Sequence, residues 1–306
     1  MQEAIEHMKA EDGRLVIVKR ALTPQKGGFL ASGFTHTLNP YVGCAFGRVG
    51  CPFCYVRESP VGQFGPGAWG TWVRQKVNIA EVLALELRKP AARHYRVFMA
   101  SATDPYQPVE ASACLTQRCL TVLRSQPVDW LVVQTRSLLV QRDFALLAEL
   151  PFATLNVSIE TDLLEVHRRF TRSSASPERR LALVRLALAR GICTQITVSP
   201  LLPSSSNFAE TLARAVGDKG CIIIDTFLDG SGGQRSARLG MDALLADAGF
   251  PGWFARCREH AHELRQRLLP VLGPERVLWS AEGFSTKPGP AGVPCMRLSP
   301  SGNHTL

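Results

Sequence analysis

Short apolar runs alternate along this chain with longer stretches in which apolar residues recur every three or four positions. The runs are residues 97–100, 130–133, 153–158, 194–198 and 221–224. Their near-continuous hydrophobicity predicts strands buried on both faces. The segment before Cys44 supplies a first strand to the series. Residues 79–87, 111–123, 142–150, 178–189, 208–216 and 254–269 carry the spacing of amphipathic helices. Pro90 and Pro151 mark helix stops, Asp143 is a candidate cap, and Gly191 suits a C-terminal cap. There is no internal repeat and no low-complexity tract.

Strands that alternate with helices imply a parallel sheet joined by right-handed crossovers. Six such units predict an α/β fold, a partial (β/α)6 barrel with a C-terminal helical extension and an irregular tail. The expected division is an N-terminal segment at 1–36, a barrel core at 37–229, and a loop, helix and Pro/Gly-rich tail at 230–306 packed on that core. In a barrel, function gathers at the C-terminal ends of the strands, so the informative residues are those that follow each apolar run.

Composition narrows the class. Of the 306 residues, 45% are hydrophobic and 20% charged, which favours a large packed core over disorder. No apolar run approaches the roughly 18 residues of a membrane span. The first twenty residues carry Glu3, Glu6, Glu11 and Asp12 and lack an apolar stretch, so no signal peptide is predicted. An odd count of nine cysteines argues against a disulfide framework and for a reducing cytoplasm. Cys193 and Cys221 fall in apolar runs and read as core, as do Cys114 and Cys119 in a helical stretch. The formal charge of +9, from 35 Lys plus Arg against 26 Asp plus Glu, suits an anionic partner. No dense basic run accompanies it, so charge alone leaves a nucleic-acid partner open.

Cys44, Cys51 and Cys54 are concentrated in one short segment that also contains Gly43, Gly47 and Gly50. Soft thiolates in a tightly folding loop suit an iron–sulfur cluster, with the glycines bringing backbone amides toward the sulfurs. Zinc is the alternative, with His36 as a fourth ligand, and three inert thiols the bland one. The segments at 101–110, 134–137, 156–161 and 197–203 follow the other strands in order and carry polar residues where a barrel mouth would have them.

Taken with those ordered segments, the chain resembles the radical SAM superfamily, in particular its spore photoproduct lyase-like group, from Leu38 to Leu228. The superfamily's usual Cys-x3-Cys-x2-Cys spacing is here Cys-x6-Cys-x2-Cys, with the extra residues around Arg48-Val49-Gly50. The resemblance implies a [4Fe-4S] cluster on Cys44, Cys51 and Cys54. It also implies S-adenosylmethionine on the open iron, and reductive cleavage to a 5′-deoxyadenosyl radical that abstracts hydrogen from a substrate. It places Thr103 and Asp104 against the methionyl amine, with Asp104 alternatively a turn cap before Pro105. Arg136 would face the methionyl carboxylate, which arginine recognises well. Ser158 would reach ribose or carboxylate, Phe53 and Tyr55 would border adenine, and Ser101 would lie beside the cofactor.

Glu160 and Cys295 are the candidate catalytic residues, with a salt bridge from Glu160 to Arg168 or Arg169 as the alternative. Ser101 matches the position of the hydrogen-donor cysteine of the true lyase, and a serine O–H is too strong a bond for that role. A conventional thymine-dimer lyase is therefore not expected. The Gly-rich stretch 229–235 would be a lid. His260 and His262, two apart on a helix, do not share a face and predict no metal site.

The expectation is a monomeric enzyme acting on a biosynthetic small molecule, nucleoside or peptide. It would draw electrons from a reductant such as flavodoxin or ferredoxin. Nucleic-acid lesion repair or base modification is the second reading, and a noncatalytic metal-containing nucleic-acid-binding protein the third.

Overall fold

The apolar runs form one sheet. The computed structural model describes residues 13–46, 50–228 and 238–287 together with the strand Met296–Arg297. Its central sheet has eight strands. From one edge to the other they are Leu22–Pro24, His36–Leu38, Arg96–Met99, Trp130–Thr135, Ala153–Ser158, Thr194–Val198, Cys221–Ile224 and Val277–Trp279. Every neighbouring pair is parallel except the first, Leu22–Pro24 against His36–Leu38. Sequential parallel order with helices between strands is the partial barrel that the pattern predicts.

Helices cover the outer face. Ile79–Leu87 and Phe208–Val216 match their sequence pattern residue for residue. The helix expected over 111–123 is broken at Cys114, whose left-handed φ of 52° separates Glu110–Ala113 from Leu115–Ser125. Asp143 does not cap the next helix; its carboxylate takes hydrogen bonds from Gln117 and Arg142 instead. Gly191 sits past the helix Pro177–Ala189 with φ of 74°, as its C-terminal position requires.

Among the elements that went unread in the pattern are the helices Leu164–Phe170 and Met241–Asp247 and the strand Val277–Trp279. That strand follows the long helix Cys257–Leu272, so the C-terminal part of the chain adds a seventh parallel strand to the barrel. A three-residue strand is too short to register as an apolar run.

Strand alternation divides the interior into two faces. Val97, Met99, Leu131, Val133, Leu155, Val157, Ile196, Val198, Ile222 and Ile224 pack toward the helices in the principal core. The opposite face begins apolar, with Phe98, Trp130, Val132, Ile223 and Leu278 clustered around Phe34 and Phe284. It turns polar in the middle of the sheet. There the Asn156 amide donates to Gln134 at 3.0 Å, and the Thr197 hydroxyl donates to Asn156. Among the described residues, no helix is long and apolar enough to cross a membrane.

A second, three-stranded sheet carries the first cysteine. Tyr41–Cys44 pairs antiparallel with Trp72–Lys76, which pairs parallel with Leu15–Val16. Tyr41 donates its hydroxyl to the buried Glu110, which also accepts from Arg142 Nη2 at 2.6 Å, so this sheet is pinned to the barrel wall. Gly43 has φ of 87°, and a Cβ there would lie 2.4 Å from the Trp72 ring.

Gly43→Ala should therefore lose about 1–3 kcal/mol in urea denaturation. Gly27→Ala, where a Cβ meets nothing within 4 Å, should stay within about 0.5 kcal/mol of the parent. Equal stability of the two variants would contradict the geometry around Gly43.

Candidate active site

Each parallel strand ends at the same mouth, and the residues immediately after four of them line one cavity of about 890 Å³. Cys44, Cys51 and Cys54 lie on its wall, as do Phe53, Tyr55, Ser101, Thr103, Asp104 and Arg136. Nine of the residues expected at the site are thus brought together. Ser158 is fully buried on the inward face and does not line the cavity; its hydroxyl has no protein partner. Glu160 is also fully buried and away from the cavity wall. Cys295 and the Gly-rich stretch 229–235 lie outside the described residues, as do residues 47–49 of the cysteine loop.

The three thiols share a desolvated pocket. Burial pushes all three up, and the neighbouring thiols add to this at Cys44 and Cys51. Cys51 rises to about 11, even though Arg136 pulls it back. Cys54 is drawn down by a backbone hydrogen bond, by Arg136 and by a hydrogen bond from Trp69. Without a metal the thiols stay protonated, and a bound cation would supply the charge that makes them thiolates. His36, the fourth ligand a zinc site would need, is elsewhere: its ring packs on Tyr95 with centroids 4.0 Å apart, and its Nδ1 bonds Thr35. Among the described residues, no three His, Cys, Asp or Glu side chains converge to hold a single metal ion.

The polar residues beside the thiols are tied down before any ligand arrives. Asp104 Oδ1 accepts from Thr135 Oγ1 at 2.7 Å and from the Tyr106 amide at 2.8 Å; its Oδ2 accepts from the Arg136 amide at 2.9 Å. Asp104 is therefore first a brace between two strand ends, and it caps the turn at Pro105. Thr103 donates to the Gly43 carbonyl at 2.6 Å and accepts from Gln107. The Tyr55 hydroxyl donates to the Ser101 carbonyl, and Asn39 Oδ1 accepts from the Ala102 amide at 3.0 Å. Ala100, where the chain turns into this segment, has φ of 128°, a strained value for a residue with a Cβ.

Glu160 is not paired with Arg168 or Arg169. Its two oxygens take Arg136 Nε at 2.6 Å and Arg180 Nη1 at 2.8 Å. These cations hold its carboxyl down at about 2 despite complete burial. The Arg136 guanidinium also lies over the Phe53 ring, 5.9 Å from its centroid.

Four contributors escaped the sequence reading. Gln107, fully buried, donates to the Gly43 carbonyl at 3.1 Å and accepts from the Ala45 amide at 2.6 Å, so it brackets Cys44. Trp69 lines the cavity beside Cys54. Arg168 and Arg172, exposed side chains four residues apart, stand on another part of the wall. They form the basic patch that no run of charges announced. His260 and His262 stack on Trp253 and Trp279 rather than on each other.

The family model of the radical SAM superfamily matches residues 38–213, and the chain belongs to that superfamily. An uncharacterized protein of Mycobacterium tuberculosis is 32% identical over 190 residues, which is 60% of this chain and 54% of the relative. One from Methanocaldococcus jannaschii is 26% identical over 187 residues, 60% of this chain and 66% of its own. The match thus spans about half the length of the first of these relatives. Among solved structures, spore photoproduct lyase complexed with dinucleoside spore photoproduct shares the fold. The TM-score is 0.57 at 13% identity, over 87% of this chain and 81% of the other.

The superfamily implies a [4Fe-4S] cluster and S-adenosylmethionine. The donor set fits them: three soft thiols from one segment, a guanidinium beside them, and the orphaned, buried Ser158 hydroxyl at a neighbouring strand end.

In cluster-free protein, the rate of Cys51 alkylation should climb about tenfold per pH unit to a plateau near pH 11, because only the thiolate reacts. The same upward shift makes the unfolded chain lose this proton first. Its contribution to folding is therefore intact below about pH 8.5 and lost as pH rises through about 11. A plateau near pH 8.5 in peptide-mapped alkylation would show an ordinary exposed thiol.

Proposed function

We propose that this chain is a radical SAM enzyme with Cys44, Cys51 and Cys54 as the three protein ligands of a [4Fe-4S] cluster. Phe53, Tyr55, Ser101, Thr103, Asp104, Arg136 and Ser158 surround S-adenosylmethionine in this reading. The observation that carries it is the placing of all three thiols and Arg136 on one cavity at the strand ends. Cluster and cofactor together supply one-electron reductive cleavage and hydrogen-atom abstraction from a substrate. The chain's own part is to hold and shield them.

Gln107 and Thr103 fix the backbone on either side of Cys44. Arg136 favours the thiolate forms of Cys51 and Cys54 and offers a cation to the methionyl carboxylate. Asp104 orients Arg136 by holding its backbone amide. Phe53 and Phe227, both buried, keep water from the thiol side. Electrons come from an external donor of the flavodoxin or ferredoxin kind.

The cavity volume falls within the range for small ligands, roughly 300–1,000 Å³, which favours a small molecule, nucleoside or peptide segment as substrate. Ser101 in place of a donor cysteine separates this reaction from that of a conventional lyase. A second reading, action on nucleic acid, is favoured by Arg168 and Arg172 on the wall, two exposed cations suited to phosphate.

Anaerobic reconstitution should load about four irons per chain, and reduction in the presence of S-adenosylmethionine should release 5′-deoxyadenosine. Each of Cys44→Ala, Cys51→Ala and Cys54→Ala should abolish both. Stoichiometric zinc without a cluster, or a cluster that survives these replacements, defeats the reading. For nucleic acid, binding should weaken on Arg168→Gln with Arg172→Gln, and the slope of log K against log salt should shrink by about two. Salt-independent or absent DNA and RNA binding removes the second reading and leaves the first.

A further inference from the structure

Arg180 is on the first turn of the outer helix Pro177–Ala189, next to the exposed Arg179. Its side chain is instead completely buried. Nη1 donates to Glu160 Oε2 at 2.8 Å and to the Ser158 carbonyl, while Nε and Nη2 have no protein acceptor. Glu160 hands its other oxygen to Arg136 Nε at 2.6 Å. Of these three charged side chains, only Arg136 lines the cavity.

Stability does not account for this chain of charges. A buried ion triad can often be replaced by apolar residues without loss, and two donors of Arg180 are left unmet here at a cost. The arrangement does fix a direction. Glu160 grips Arg136 at Nε, and Asp104 holds its backbone amide, so the guanidinium is held at its base with Nη1 and Nη2 beyond the grip. A free arginine at a cavity wall would have to be ordered by its ligand; one braced in advance loses less freedom on binding.

We infer that Arg180 and Glu160 are positioning residues that act through Arg136, aiming its terminal nitrogens at the carboxylate of bound S-adenosylmethionine. The inference rests on the cofactor assignment above. It adds that binding of this anion depends on a residue from the outer helix that never touches it. Glu160 is the link: it repels no part of the ligand, because its charge is spent on the two arginines.

A double-mutant cycle on the cluster-loaded full chain tests it, with S-adenosylmethionine dissociation constants from anaerobic equilibrium dialysis and no turnover. Glu160→Gln, which is nearly isosteric, should weaken binding by about tenfold in the parent. In the Arg136→Gln background it should weaken it no further, since the two residues act as one unit. Arg180→Met should behave like Glu160→Gln. Decarboxylated S-adenosylmethionine should bind all of these variants and the parent alike.

Additive losses, or equal losses for the decarboxylated analogue, would show that Arg180 and Glu160 merely pin the helix to the sheet. Hydrogen exchange of the Arg136 Nε–H, followed by NMR in cluster-free protein, needs no cofactor. It should be slow in the parent and fast in Arg180→Met, and equal rates overturn the relay. A parent that takes up no cluster or no S-adenosylmethionine sinks the cofactor assignment, while the exchange measurement still decides whether Arg180 braces Arg136.

Discussion

Parallel strands bring their last peptide groups to one edge, where no hairpin turn exists to satisfy them. At two adjacent strand ends, Asp104 meets that demand with a single buried carboxylate. It takes the Thr135 hydroxyl and the amides of Tyr106 and Arg136, so the segment after Arg96–Met99 and the end of Trp130–Thr135 are fixed relative to each other. Thr103 and Gln107 lie in that same segment, and they reach the strand bearing Cys44. The positions of the first thiol and of the guanidinium opposite both descend from this one acid. Burial raises its affinity for a proton, and the three donors and Arg136 work against that rise.

The electrostatic consequence is a site that changes character with occupancy. Three desolvated thiols are neutral when no metal is present, and Arg136 then has Glu160 as its counter-ion. Thiolates would bring three negative charges to a region whose nearest cations are Arg136 on the cavity wall and the buried Arg180. Glu160 and Asp104 already face these two arginines, so the thiolate charge would have to be balanced chiefly by the metal itself.

Much of this was legible in the residues. Buried parallel strands advertise themselves as unbroken apolar runs, and residues 153–158, 194–198 and 221–224 were read at their observed bounds. The strand-end rule marked the segments 101–110 and 134–137, and the family resemblance singled out Thr103, Asp104 and Arg136 within them, all three of which line the cavity. It failed where chemistry is carried by long side chains from other layers. Arg180 has the helical position of a surface cation, and no local signal says that its side chain turns inward. Gln107 was visible only as part of a polar segment, because its role is to bond backbone groups some sixty residues earlier in the chain. Glu160 was singled out as a catalytic candidate, and its alternative ion pair was given the wrong arginines, since sequence proximity favoured Arg168 and Arg169 over a residue twenty positions on. Ser158 was singled out as well, yet a strand position fixes only which face a side chain takes, not whether the cavity reaches it.

The cysteines do not belong to one piece of the molecule. Cys44 ends a strand of the small sheet and is locked to Trp72. Cys51 packs with Phe53, Phe227, Met241 and Leu245 in a separate hydrophobic cluster built largely from the C-terminal half. The long spacing between Cys44 and Cys51 is what lets one loop serve both. A cluster ligated across that boundary would be a rivet as much as a reactive centre. Its loss would remove one tie between the small sheet and that cluster, leaving Tyr41, Thr103 and Gln107 to hold the sheet to the barrel, so oxygen damage to the metal would also be felt as a local loosening of the fold.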